Sequence, residues 1–439
     1  MRLPALGPRR LLVLGLVAAP ALGCSGSAPG SPEPPGGGAG GGVSNTAGMA
    51  PGGSGSGIAG TNAATAGGSG TGGSTVGGSS AEGGSTSTGG TPVGGSSTGS
   101  GGSNSAGTGS SGGGSGGSAG STGSVPIDPA LRQKCTGTNP IVCHLDAPDG
   151  NWDVTVDLGS DTSAGNSRVA AETRHYFGDA RATTVGAHEL INFTANVRME
   201  KHDGGQSAPS NILDLVIDGS APQLRGIGIR SAPKAATIFV AGDSTLCDWV
   251  GTNTSAVNDD ETGWAQALAQ YFSPGVAVAN YADSGETAGG FYSKFFTQAK
   301  AALKAGDYVF VQFGHNDQKD ANAVASYKTN LMKYVQDARD KQATPVLFTP
   351  VSRSSGSDAD PGFGGLDQQV RDLAAAENVA YIDLTVLSRN YYKTVPSKAA
   401  LFADSGTHLS SVGANAVAGL VATAIKGGNL PLKSFVVVK

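Results

Sequence analysis

Thr237-Ile238-Phe239-Val240-Ala241-Gly242-Asp243-Ser244 decides the fold of this chain. The four residues after Thr237, with no polar interruption, read as a strand buried on both faces, because a half-exposed strand would alternate. Gly242-Asp243-Ser244 then breaks the run with turn chemistry. Downstream the period switches repeatedly. A helix is predicted over 263–272 and a strand over 276–281. Next come a helix over 291–305, a strand at 308–313, a helix over 323–341 and a strand at 345–348. A further helix ends at Glu377, a strand covers 379–382, and a last helix covers 411–426, with Ser410 or Ser411 as N-cap. Alternating strands and helices imply a parallel sheet covered by helices on both faces. In such sheets ligands bind beyond the carboxyl ends of the strands.

Four segments fall at those ends. Ser244 follows the first strand, Ser284-Gly285 the second, and Gly314-His315-Asn316-Asp317 the third; Asp404-Ser405-Gly406-Thr407-His408 precedes the last helix. Serine hydroxyl is scarcely ionised at neutral pH, so acyl transfer needs a base beside it. His408 can be that base, and Asp404 can hold its tautomer and stabilise the imidazolium. The N–H groups of Ser244 and Gly285 and the amide of Asn316 can act as oxyanion donors. Each motif alone is weak, since Gly, Asp, Ser and Asn are ordinary turn residues and a histidine before a helix is often structural. Four in order at the right strand ends are a site. In contrast, Gly116-Gly117-Ser118-Ala119-Gly120 satisfies a G-x-S-x-G pattern with no strand-turn-helix around it, and carries nothing.

These ordered blocks resemble the GDSL/SGNH hydrolases. More narrowly, 241–245 and 312–319 resemble the rhamnogalacturonan acetylesterases, carbohydrate esterase family twelve. The resemblance covers the chain from Thr237 to the last helix. It implies a flavodoxin-like sheet, release of acetate from acetylated pectin, and the roles given to Ser244, Gly285, Asn316 and His408, with neither metal nor organic cofactor. Two features depart from the family. It spaces acid and base as Asp-x-x-His, whereas Asp404 stands four residues before His408, with Ser405 at the usual place. Either Gly406 lets the loop bulge and Asp404 completes a triad, or a backbone carbonyl orients His408 in a Ser–His dyad. Glu286 follows the oxyanion glycine where many relatives carry Arg; it either touches substrate or is a solvated loop residue. Trp249, Tyr281 and Glu286 are the candidate substrate contacts, and Trp264 suits the core better.

Upstream, residues 125–234 carry short alternating or β-branched runs at 152–158, 167–172, 191–198 and 212–217, separated by turn pairs such as Asp149-Gly150 and Asp218-Gly219. This spacing reads as an all-β sandwich, resembling the galactose-binding-like sandwiches that precede some pectin acetylesterases. Trp152, His175 and His188 could line a sugar site there, although packing at the core or an edge is the commoner use of such residues. Residues 24–124 are almost wholly Gly, Ser, Thr and Ala, a composition that cannot offset its ordering entropy and predicts a disordered linker with a reach of about 50–60 Å.

Residues 1–23 read as a signal peptide: Arg2, Arg9 and Arg10 precede an apolar core at 11–19 too short to span a bilayer. Ala21-Leu22-Gly23-Cys24 resembles a bacterial lipobox, which implies lipid on Cys24 and a cell-surface or outer-membrane lipoprotein; the alternative is cleavage and release. Outside the cytosol, Cys135 and Cys143 can close a disulfide loop, leaving Cys247 as a buried thiol. The net charge of −5, without basic runs, argues against nucleic acid as partner. The expected partner is an acetylated polysaccharide, with membrane contact only through the lipid; no feature sets an oligomeric state. The hydrolase of residues 235–439 is therefore expected to be a pectin acetylesterase. The alternatives are an esterase for xylan or for short acyl groups generally, and an inactive carbohydrate-binding surface protein.

Overall fold

The computed structural model describes residues 123–201, 207–208, 210–250 and 260–438. The signal segment, Cys24, the Gly/Ser-rich stretch up to residue 122 and the 116–120 pattern lie outside them.

After a one-turn helix α1 (Pro129–Arg132), the first part of the chain is all β. It runs β1 (Cys135–Thr136), β2 (Ile141–Asp146), β3 (Gly150–Gly159), β4 (Gly165–Ala171), β5 (His175–Tyr176), β6 (Arg181–Thr183) and β7 (His188–Val197). The short β8 (Glu200–Lys201) and β9 (Ser207–Ala208) form a hairpin, followed by β10 (Ile212–Ala221) and β11 (Leu224–Ser231). One sheet has the order β1-β2-β10-β4-β5, with β6 also on β4; the other is β11-β3-β7. Alternating residues such as Leu213, Leu215 and Ile217 meet Val154, Val156 and Phe193 in a shared core, as sandwich geometry requires. Cys135 and Cys143 are opposite one another on β1 and β2 and joined by a disulfide. β2 and β11 were not foreseen in the sequence. β2 mixes Cys, His and Asp among its apolar residues, and β11 carries two glycines.

The second part holds a five-stranded, wholly parallel sheet: β12 (Ala236–Gly242), β13 (Val276–Asn280), β14 (Tyr308–Gln312), β15 (Thr344–Phe348) and β16 (Ala380–Ile382). Its spatial order is β13-β12-β14-β15-β16, the doubly wound arrangement whose order reverses beside β12. Ile238 and Val240 enter the core on one face, while Phe239 and Ala241 enter the core on the other. Burial of both faces is why β12 reads as an uninterrupted apolar run.

Helices α2 (Ala288–Lys294), α3 (Phe296–Ala302), α4 (Ala321–Asp340), α5 (Leu366–Glu377), α6 (Leu384–Tyr392) and α7 (Ser411–Gly427) complete this part. Ser410 caps α7, its hydroxyl accepting from Gly413 N–H. The predicted helix over 291–305 is two helices, parted where Phe295 leaves helical geometry. α6, capped by Asp383, was not expected.

The largest correction concerns 263–272, which is not an α-helix. Only Ala269–Tyr271 makes a single 3-10 turn. The segment is held instead by long-range bonds: Trp264 N–H donates to the Thr245 carbonyl and its indole to Gln312 Oε1, and the Gln266 amide reaches the carbonyls of Thr173 and Trp249. Apolar spacing alone does not make a helix where tertiary bonds claim the backbone. The described residues of the first crossover are thus irregular, and this crossover carries the nucleophile.

Gly263 lies against this crossover so closely that a Cβ would stand 2.2 Å from the Leu246 carbonyl. Gly263→Ala is therefore expected to cost about 1–3 kcal/mol through overpacking, read as a lower denaturation midpoint; an unchanged midpoint would contradict this packing.

Candidate active site

Ser244 stands two residues past Gly242, the last residue of β12. The turn is built around buried Asp243, whose Oδ1 accepts from Thr245 N–H (3.1 Å) and Thr245 Oγ1 (2.7 Å). Gln312 Nε2 at the end of β14 donates to the same threonine hydroxyl at 2.8 Å. Burial works against ionisation of Asp243, but the neighbouring His315 ring and the Thr245 donors hold its carboxyl below the usual range.

His408 Nε2 lies 2.9 Å from Ser244 Oγ, and its Nδ1 lies 2.8 Å from Asp404 Oδ2. The second Asp404 oxygen accepts from the N–H groups of Gly406 (2.8 Å), Thr407 (2.7 Å) and His408 (3.0 Å). The loop wraps its own carboxylate, and a bond from Ala403 N–H to the His408 carbonyl closes it. Gly406 has φ +127°, and a Cβ there would collide with Ser354 Oγ, so the glycine permits the four-residue spacing. Burial opposes the Asp404 charge, yet the three N–H donors and the His408 ring keep its carboxyl below the ordinary range. With Nδ1 donating to Asp404, Nε2 is the nitrogen that can accept the serine proton.

Gly285 has φ +77°, with no atom within 4 Å of where a Cβ would sit. Asn316 ties the second strand's loop to the third's. Its Nδ2 donates to the Glu286 carbonyl at 3.0 Å and its Oδ1 accepts from Lys319, leaving one amide N–H. Next to it, Asp317 accepts from Ala288 N–H at the start of α2. Its carboxyl is pushed up to about 6, chiefly by burial.

Of the three candidate substrate contacts, only Trp249 stands at the catalytic groups. Its ring meets His408 edge-on, 5.7 Å between centroids, and its indole N–H donates to the Ser244 carbonyl at 2.9 Å. Tyr281 does not join them. Its ring lies against Phe239 and the Arg198 guanidinium, in a cleft of about 630 Å³ lined also by Asn196, Gln298 and Lys304. Tyr281 is the first residue past β13, and its ring takes the Phe239 face of the sheet. Glu286 is buried and paired with Lys294 at 2.8 Å, so its carboxylate serves α2 and its carbonyl serves Asn316.

Trp264 is fully buried, as core packing suggests. Cys247 is buried too, its thiol donating to the Ser244 carbonyl. In the sandwich, Trp152 bonds the Pro148 carbonyl and His188 pairs with Asp157. Sequence reading missed Glu261, whose Oε1 is 3.8 Å from His408 Nδ1. Its only sequence signal is that it ends the short acidic run Asp259-Asp260-Glu261. Among the described residues no group of three or more His, Cys, Asp or Glu side chains is arranged to hold a metal.

Comparison with known proteins places the second part of the chain in a family. The model of the GDSL-like Lipase/Acylhydrolase family matches residues 240–416. Rhamnogalacturonan acetylesterase RhgT of Bacillus subtilis is 31% identical over 226 residues, covering 46% of this chain and 95% of the relative. Probable rhamnogalacturonan acetylesterase YesY of the same organism is 30% identical over 217 residues, covering 46% and 97%. Its uncharacterized esterase YxiM is 28% identical over 307 residues, covering 64% of this chain and 73% of the relative.

Two measurements test the site. Asp404→Asn presents an amide N–H to Nδ1 and favours the wrong tautomer. It should lower kcat by about 10³–10⁴ with the fold intact; a loss below tenfold would favour a dyad. The second concerns Asp317. The unfolded chain loses this proton near the ordinary value of 3.8, while the folded protein keeps it to about pH 6. Between those limits the native state binds more protons, so stability falls as pH rises, by up to about 3 kcal/mol. Asp243 and Asp404, held low, lose their contributions only below that window. Thermal unfolding from pH 4 to 7 should therefore flatten in Asp317→Asn, and an unchanged slope would refute the assignment.

Proposed function

Because this chain belongs to the GDSL-like lipase/acylhydrolase family and is a carboxylic ester hydrolase, we propose that it removes acetyl groups from a plant cell-wall polysaccharide, rhamnogalacturonan first, through a Ser-His-Asp acyl-enzyme mechanism. The observation that carries the mechanism is the chain of bonds from Ser244 Oγ through His408 to Asp404 at the carboxyl edge of the sheet. The substrate class rests on what the two rhamnogalacturonan acetylesterase relatives are named for.

In this reading Ser244 Oγ attacks the acetyl carbonyl carbon as His408 Nε2 takes its proton. Charge builds on the former carbonyl oxygen, where the N–H groups of Ser244 and Gly285 and the remaining Asn316 N–H supply donors. The C–O bond to the sugar breaks and His408 returns the proton to the departing hydroxyl. Water, deprotonated by His408, then attacks the acetyl-serine carbonyl, and acetate leaves as Ser244 regains its proton. Asp404 remains ionised throughout and balances the imidazolium. Trp249, against both the Ser244 carbonyl and the His408 ring, is the aromatic surface offered to the sugar. Export and lipidation at Cys24 belong to the same proposal, and fit a polymer met outside the cell.

Acetate release from acetylated rhamnogalacturonan and from acetylated xylan is the test, with Ser244→Ala as control. Serine-dependent release from the pectic polymer is expected to exceed that from xylan. Equal release would remove the narrow specificity, and no release above the control would remove the glycan reading.

A further inference from the structure

Four residues beyond the nucleophile, the Asp248 carboxylate is 2% exposed, and both its ion partners come from the sandwich. His175 on β5 reaches Asp248 Oδ1 at 2.9 Å, and Arg198, just past β7, reaches Oδ2 at 3.3 Å. Arg198 also donates to the Asn280 carbonyl at 2.6 Å. Asn280 at the end of β13 donates in turn to Asp248 Oδ1 and to the Leu246 carbonyl, both at 2.7 Å. Burial alone would raise the Asp248 carboxyl, but His175 and Arg198 hold it below its usual range.

A second set of bonds comes from the turn between β4 and β5. The Thr173 carbonyl accepts from the buried Gln266 amide at 2.7 Å. Arg174, in the left-handed region at φ +58°, spreads one guanidinium over the catalytic part. Its Nη1 donates to the carbonyls of Trp249 (3.2 Å) and Glu261 (3.0 Å). Its Nη2 donates to Asp260 Oδ1 (2.8 Å) and Thr262 Oγ1 (3.2 Å). All four Arg174 acceptors lie on the crossover that follows Ser244, whose described residues form no α-helix.

Well-packed apolar residues would join two domains as firmly as a buried ion cluster, whereas charges with fixed partners impose geometry at a desolvation cost. Trp249 passes that geometry on, since its indole holds the Ser244 carbonyl and its ring meets His408. We infer that the sandwich is a positioning part of the active site: Arg174, His175 and Arg198 fix residues 246–249 and 260–262, and through them set Ser244, Trp249 and Glu261 around His408. The inference rests on Ser244 and His408 as the reacting pair, and not on the identity of the glycan.

The test uses the full-length protein and p-nitrophenyl acetate, a neutral ester too small to need a glycan surface, alongside the acetylated polymer. Ser244→Ala is measured first; if it retains wild-type activity, the reading of the reacting pair fails independently of the sandwich. With that control silent, Arg174→Gln should lower kcat roughly ten- to a hundredfold on both substrates, with KM nearly unchanged, because small displacements of reacting groups cost rate. Arg198→Met should lose more, and Arg198→Lys should recover most of the loss. A loss confined to the polymer would overturn the inference in favour of glycan binding by the sandwich. A lowered melting temperature with wild-type kcat in the folded protein would overturn it in favour of packing alone. If Arg198→Met fails to fold, Arg174→Gln, whose side chain is 23% exposed, decides by the same criteria.

Discussion

The 2.9 Å contact between His408 Nε2 and Ser244 Oγ joins residues 164 positions apart, and the hydrolase part is organised to hold it. The serine end is anchored by β12, buried on both faces and paired with strands on both sides. The histidine end is anchored by a loop that folds about the Asp404 carboxylate and enters a capped helix. A displacement of either anchor would open the contact, and catalytic proton transfer depends on a heavy-atom distance near 3 Å.

Behind this contact two buried aspartates meet opposite fates. Asp243 has the His315 ring at 3.4 Å and two donors from Thr245, which together overcome burial and keep it ionised. Asp317 accepts from backbone N–H groups but, among the described residues, no cationic side chain pairs with it, and the charge of Asp243 opposes its own, so burial wins. Environment, not residue type, decides which carboxyl carries charge. Both support functional neighbours: Asp243 shapes the turn that presents Ser244, and Asp317 joins the Asn316 loop to the start of α2.

The sandwich and the hydrolase share more than a boundary. Where a helix was expected at 263–272, the crossover after β12 instead makes bonds to the sandwich, and its described residues bond Thr173, Arg174, His175 and Arg198. That exchange accounts for both the failed helix at 263–272 and the placement of Trp249 against the catalytic pair. It also accounts for His175, a candidate sugar contact by sequence, whose ring is instead buried against Asp248.

By itself the sequence determined the parallel sheet and where chemistry should be sought on it, because burial on both faces writes a local pattern of unbroken apolar runs ending in turn residues. The candidate positions Ser244, Gly285 and Asn316 were legible for the same reason, since each follows such a strand, and His408 because it precedes the last helix. Asp404 was legible as a candidate only, since its reach depends on the φ +127° of Gly406. Tertiary structure alone decided that Tyr281 and Glu286 turn to other partners, that Glu261 comes to 3.8 Å from His408, and that arginines of the sandwich grip the nucleophile's crossover. Apart from Glu286–Lys294, those contacts link residues 42 to 147 positions apart, and a pairing of that kind leaves no period in the chain; only tertiary packing creates it.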